Sequence, residues 1–153
     1  MKISAKGRYA IRMMLDLALH NTGDSIPLND ISVRENIPLK NLEQTASILL
    51  KAGLLNSTRG KKGGYTLSKA PKNISVYDIL SLTENMFSHG AHPEVGCGTC
   101  DKYGQCCISD MWAQYTLMSA DFFSQRTLED LVRNQIKKQR RNEVSIQPVS
   151  INM

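Results

Sequence analysis

Between Lys6 and His20 the apolar residues Ala10, Ile11, Met14, Leu15, Ala18 and Leu19 recur at the spacing of one helical face. Ser4 stands where an amino-terminal cap belongs, and Asn21-Thr-Gly23 supplies the stop. A shorter helix is predicted within residues 25–36, packed through Leu28, Ile31 and Val33. Asn36-Ile-Pro38 makes a tight turn, and Pro38 suits the opening of the next helix, where its missing N–H costs nothing. That helix is predicted from Pro38 to Ala52, with Leu39, Leu42, Ala46, Leu49 and Leu50 inward and Gly53 as its carboxy-terminal cap.

The pattern then changes. Leu54–Thr58 reads as a strand, Arg59-Gly-Lys-Lys-Gly-Gly64 as a hairpin tip, and Tyr65–Leu67 as the returning strand. Val76, Ile79, Leu80 and Leu82 give a short helix within Ile74–Thr83. From Glu84 to Gln105 periodicity is lost and Gly, His, Pro and Cys enter, which reads as a loop. Helical spacing returns at Ile108 with Met111, Trp112, Tyr115, Met118, Phe122 and Phe123. Thr127 caps a last helix, Leu128 to about Gln135, and beyond Gln139 no pattern remains.

These elements predict a mainly α fold with a small β wing, a winged helix-turn-helix domain joined to a long dimerisation helix. The expected divisions are a DNA-binding domain over residues 1–83, a cysteine-rich sensor loop over 84–107, the dimerisation helix and following short helix over 108–135, and a basic, mobile tail over 136–153. A helix as aromatic as the one after Ile108 needs another surface to cover it. A second copy of the chain is the expected partner, giving a homodimer, with packing back on its own domain accounting for part of the stripe.

Composition narrows the function. A chain of 153 residues, 41% hydrophobic and 22% charged, buries one modest core and one further dimerising element. Its net charge of +5 favours a polyanionic partner. The charge is concentrated at Arg59, Lys61 and Lys62, and again at Lys137, Lys138, Arg140 and Arg141. No stretch approaches the roughly 18 uninterrupted apolar residues of a membrane span, so no membrane partner is expected. Met1-Lys-Ile-Ser4 opens no secretory signal, and a cytoplasmic location follows as the expectation. Structural disulfides are not expected in that reducing compartment.

Double-stranded DNA is the polyanion that this arrangement suits. Glycines at the hairpin tip allow close approach to a phosphate, and Arg59, Lys61 and Lys62 place charge where a wing meets the backbone or minor groove. The helix from Pro38 to Ala52 is the expected reader of the major groove. Its outward face carries Lys40, Asn41, Glu43, Gln44 and Ser47. Lys40 can neutralise a phosphate, Asn41 or Gln44 can pair with adenine, and Glu43 can accept from cytosine N4, while Ser47 reads as a solvated position.

All four cysteines fall in Cys97-Gly-Thr-Cys100-Asp-Lys-Tyr-Gly-Gln-Cys106-Cys107. Clustered thiolates point to a metal. Cys97 and Cys100 have the spacing of half a zinc site, but the adjacent Cys106 and Cys107 suit a single tetrahedron poorly. An iron–sulfur cluster accepts irregular spacing, and a metal-free pair that oxidises to a disulfide is the third option. An enzyme is not expected: there is neither a phosphate-binding glycine loop nor a Cys-X-X-Cys opening a helix in a βαβ pattern.

The motifs Ser4-Ala-Lys-Gly-Arg-Tyr-Ala10, Ile37-Pro-Leu-Lys-Asn-Leu-Glu-Gln44, Arg59-Gly-Lys-Lys-Gly-Gly-Tyr65, the cysteine loop, Trp112 and Thr127-Leu-Glu-Asp-Leu-Val132 resemble the iron–sulfur cluster regulators of the IscR type, in the winged-helix repressor group that includes NsrR and CymR. The resemblance spans Met1 to Gln135. It implies a homodimeric winged-helix repressor or activator whose loop carries a [2Fe–2S] cluster, with occupancy selecting the promoters bound. The Cys100–Cys106 spacing and the distance from Cys106 to Trp112 match that type. The type's first cysteine falls near Glu94, where this chain offers Cys97 instead, and its histidine ligand corresponds to Ser109. The aspartate ligand of NsrR-type members corresponds to Arg8. Cys97, Cys100 and Cys106 are thus the implied ligands, with Cys107, Asp110, His89 and His92 as candidates for the fourth and Cys107 favoured. CymR-type members work without a cluster, which keeps open a metal-free repressor switched by a protein or small molecule. A zinc-stabilised adaptor is the remaining alternative.

Overall fold

A computed structural model describes residues 3–60, 62–84 and 107–145. Its elements are α1 (Ala5–Leu19), α2 (Leu28–Glu35), α3 (Leu39–Lys51), β1 (Leu55–Thr58), β2 (Gly64–Leu67), a 3-10 turn at Pro71–Asn73, α4 (Val76–Leu80), α5 (Cys107–Ser124) and α6 (Leu128–Ser145). The fold is mainly helical, with a two-stranded antiparallel sheet as the wing.

Helix α1 is the hub, packed against α2, α3, α4, α6 and β2. Because neighbours surround it, its buried arc is wider than a single apolar stripe. Met13 and Leu17 join Ala10 and Met14 in the core, while Ile11, Leu15 and Ala18 are only partly buried against it. Ser4 caps the helix as expected, accepting from the Gly7 N–H at 3.0 Å. The same hydroxyl donates to Glu84 at 2.6 Å, and the Ser4 N–H lies 3.3 Å from each oxygen of that carboxylate. A Cβ at Gly7 would run into Glu84, so the glycine of the opening motif leaves room for this clasp. A carboxylate at a helix amino terminus also complements the helix dipole.

Helix α3 ends in a Schellman motif: the Leu54 N–H donates to Leu49 O, the Gly53 N–H to Leu50 O, and Gly53 takes φ +72°. Its buried side is Leu42, Thr45, Ala46 and Leu49. Leu39 and Leu50, expected inward, are 39% and 37% exposed. At about 100° per residue both fall on the margin of the buried arc. Val33, also expected to pack, is 77% exposed, and Ile31 is the buried residue of the eight-residue α2.

The helix expected over Ile74–Thr83 is shorter, because Ile74 is extended and Ser75 and Asp78 form a reciprocal capping box that starts α4 at Val76. Ile74 O accepts from the Leu128 N–H and Arg126 O from the Val76 N–H, which pins the α5–α6 connection to the domain. Thr127 caps α6 as expected. Hydrogen bonds from its backbone N–H and hydroxyl hold the Asp130 carboxyl below the usual carboxylate range.

The end placed at about Gln135 is corrected: α6 continues to Ser145, so residues 136–145, expected within the basic, mobile tail, are helix. Lys, Arg and Gln are good helix formers, and an exposed helix does not need the apolar periodicity on which the sequence reading relied.

Candidate nucleic-acid interface

The reading element is built from α2, its turn and α3. Asn36 closes α2 in the left-handed conformation at φ 50°, a region that asparagine tolerates better than most residues. Ile37 then drops into the core, its N–H donating to Ser32 O at 3.2 Å and its carbonyl accepting from Ser32 Oγ at 2.7 Å. Two arginine ties fix α2 to α1. The Arg34 guanidinium donates to both oxygens of Asp16, at 2.8 and 2.7 Å, and that bond raises the Arg34 pKa further. Asp16 itself is 1% exposed, and His20 Nδ1 lies 3.3 Å from its carboxylate. Arg12 reaches Glu35, with Nε 2.7 Å from the carboxylate and a terminal nitrogen 2.6 Å from the backbone carbonyl.

Helix α3 packs on both α1 and α2, and its Lys40, Glu43, Gln44 and Ser47 all lie exposed opposite the buried arc. Asn41 sits at the edge, half-buried, its carbonyl accepting from the Thr45 hydroxyl at 2.8 Å. Lysine, glutamate and glutamine are therefore presented together, and asparagine less directly.

The wing pairs Leu55 with Leu67, Asn56 with Thr66, Ser57 with Tyr65, and Thr58 with Gly64. Its tip turns through Gly60, at φ +108°, whose carbonyl accepts from the Gly63 N–H at 2.8 Å. Arg59 and Lys62 are exposed there, and Lys61 lies outside the described residues. The sequence reading missed a third strip of backbone. Ile26 bridges antiparallel to Tyr65 through hydrogen bonds of 3.0 and 2.9 Å, and Ser25 Oγ donates to Lys62 O at 2.7 Å. Any Cβ at Gly64 would strike the Ile26 backbone, so this glycine is needed for close strand approach. Strand β2 is thereby paired on both edges, with β1 on one and Ile26 on the other.

Helix α5 carries Met111, Trp112, Met118 and Phe122 exposed, with Met118 at 72%. Tyr115 and Trp112 meet edge to face, and a shallow apolar groove is lined by Tyr115, Met118, Ser119, Phe122 and Phe123. Flanking this groove, Ala120 and Phe123 pack on Val76 and Leu80. Cys97, Cys100 and Cys106, with His89 and His92, lie outside the described residues. The Cys107 backbone opens α5, its side chain also lies outside the description, and Asp110 is exposed one turn on. Among the described residues no cluster of His, Cys, Asp and Glu could hold a metal.

A family model described as an iron-dependent transcriptional regulator, Rrf2, matches residues 3–134. The chain belongs to the Rrf2 family. As an Rrf2 member it is a DNA-binding transcription regulator rather than an enzyme. Relatives named HTH-type transcriptional regulator IscR are 38% identical over 135 residues, both in Pectobacterium carotovorum and in Escherichia coli. These matches cover 88% of this chain and 80% and 82% of the respective relatives. Among solved structures, IscR of T. potens superposes with a TM-score of 0.74 at 29% identity, over 91% of both chains. CymR of B. subtilis, a global cysteine regulator, superposes with a TM-score of 0.72 at 30% identity, covering 88% of this chain and 98% of that one. The winged-helix arrangement is thus that of Rrf2 regulators.

Proposed function

We propose that this Rrf2 protein acts on double-stranded DNA as a homodimer and senses iron–sulfur or redox status through its cysteines. The observation that carries the DNA reading is the exposed arc of Lys40, Glu43 and Gln44 on α3, which packs on α1 and on the α2 that two arginine ties hold, together with a glycine tip bearing exposed Arg59 and Lys62. In this reading the amino-terminal half of α3 enters the major groove, Glu43 and Gln44, with Asn41 at the edge, read bases, and Lys40 contacts phosphate. Arg59, Lys61 and Lys62 meet the backbone or minor groove. Residues 1–83 form the reading domain, 84–107 the sensing segment, and α5 with α6 the assembly unit. No helix among the described residues is long and apolar enough to cross a membrane, and the cytoplasm is the proposed location.

The donor set fits an iron–sulfur cluster: four thiols confined to residues 97–107 directly before α5. Cys97, Cys100 and Cys106 would hold a [2Fe–2S] group, with Cys107 the favoured fourth ligand. The group would supply a reversible, oxidant-sensitive tie among these cysteines. This chain's own part is to join that tie to the start of α5, so that its state bears on how two reading domains are spaced. A difference of about 1.4 kcal/mol in DNA binding between the two states is enough for a tenfold change in operator affinity.

Anaerobic purification should give a coloured protein with equal iron and sulfide, and serine at Cys97, Cys100 or Cys106 should each remove the colour. The likeness to CymR favours a second reading, a metal-free regulator, and a colourless protein with a reversible disulfide would establish it in place of the first. Stoichiometric zinc would replace both with a zinc-stabilised protein. For DNA, Arg59→Ala should weaken binding to all sequences and lower the salt slope by about 1. Glu43→Ala should instead relax base preference at one position by about 1–3 kcal/mol. Normal binding by both variants to an operator obtained by selection would refute the assignment of this face.

A further inference from the structure

Leu39 is the first residue of α3 and stands on the margin of the buried arc, 39% exposed. Its place on the helix decides which surface it joins. At about 100° per residue, Glu43 lies about 40° from Leu39, and Lys40 about 100°. Leu39 therefore sits one turn before Glu43 on the same edge of the outward face. It is preceded by exposed Pro38, the extended residue that leads into the helix. The amino-terminal corner of the reading helix is thus apolar, and the polar positions begin beside it.

In the major-groove docking proposed above, that corner meets the part of the duplex where an apolar side chain has a specific use. Each base pair shows a different pattern in the major groove, and thymine alone among the bases presents a methyl group there. A leucine side chain at the first position of a reading helix has no hydrogen bond to offer phosphate or polar base edges. It gains by covering a methyl and losing water from both surfaces. Leu50, exposed on the same edge, lies at the far end of α3, where the helix leaves the groove in this geometry.

We propose that Leu39 reads the 5-methyl group of a thymine next to the base pair contacted by Glu43. This rests on the assignment of α3 as the major-groove reader and adds a base preference that its polar residues do not supply. Glu43 accepts from cytosine N4, so the two residues together select a cytosine and a thymine at neighbouring positions of each half-site, on the same or opposite strands.

The test uses the full-length protein and a duplex operator obtained by selection from random sequence, with each thymine replaced in turn by deoxyuridine, which removes the methyl group and keeps the pairing. Wild-type protein should lose about fourfold in affinity at one thymine per half-site, the worth of burying one methyl-sized group. Leu39→Ala should bind the thymine and deoxyuridine duplexes equally at that position, whereas Leu39→Met should keep most of the discrimination. Thermal unfolding of the variants separates a lost contact from a lost fold, and Leu39→Met supplies the readout if the alanine variant is unstable. Methyl sensitivity absent from wild type, or retained unchanged in Leu39→Ala, overturns the proposal while Glu43-dependent base preference leaves the reader intact. Failure of Glu43→Ala and Gln44→Ala to alter operator preference overturns the reader itself, and Leu39 with it.

Discussion

Replacing Tyr115 and Phe122 together by aspartate is expected to leave a folded monomer that binds its operator far more weakly than the wild type. Met111, Tyr115, Met118 and Phe122 follow one another at steps of four, three and four residues, the seam spacing of paired helices. Three of the four are exposed, and the fourth, Tyr115, lines the apolar groove beside Met118 and Phe122. The Arg126 guanidinium stacks on one face of the Phe122 ring, 3.5 Å from its centroid. Burial of each large side chain in a dimer is worth about 1.5–3 kcal/mol, and buried unpaired carboxylates would reverse that gain. Two half-site contacts acting together exceed one by about 10²–10⁴ in affinity, so loss of pairing should cost operator binding by about that factor. Sedimentation and operator titration on one preparation measure both effects. A wild-type protein that is monomeric at micromolar concentration would refute the paired-helix reading.

The elements visible in the sequence are those with strong local signals. Ser4 before an apolar period, Pro38 at a helix start, Gly53 at a helix end and glycines at the wing tip each mark a boundary by their own chemistry, and the structure places each as expected. Contacts distant in sequence carry no such mark. The Ser4–Glu84 clasp joins residues 80 apart, and only Gly7, in whose side-chain space the carboxylate lies, hints that something approaches α1 there. The Ile26–Tyr65 bridge was hidden because one residue of strand has no periodicity. Leu39 was read as core because hydrophobicity alone cannot separate the margin of a buried arc from its centre. The reading face was legible as a set of polar positions on one helix, while the relation of the cysteines to α5 was legible only as adjacency along the chain.

Asp16 is the case in which a sequence signal was present and its consequence becomes visible only in three dimensions. An acidic residue between Leu15 and Leu17 interrupts the buried face of α1, and it is tolerated because Arg34 arrives from α2 with a two-pronged hydrogen bond. Arg34→Leu is therefore expected to destabilise the protein by about 3 kcal/mol, the low end for a broken buried pair, since the Arg34 side chain is about a third exposed. His20 cannot make up the loss, because it lies at 3.3 Å on one carboxylate oxygen and is itself half-exposed. Asp16→Leu combined with Arg34→Leu should recover much of the stability, since the stranded charge is then gone. Urea unfolding of wild type, Arg34→Leu, Asp16→Leu and the double variant forms a double-mutant cycle that measures the coupling directly. The recovered double mutant should still bind operator less tightly than wild type, because hydrophobic contact holds α2 against α1 without fixing its direction, and the presentation of Glu43 and Gln44 depends on that direction. Equal stability of Arg34→Leu and wild type would show that the pair contributes nothing, and full operator affinity in the double mutant would show that α3 is positioned by other contacts.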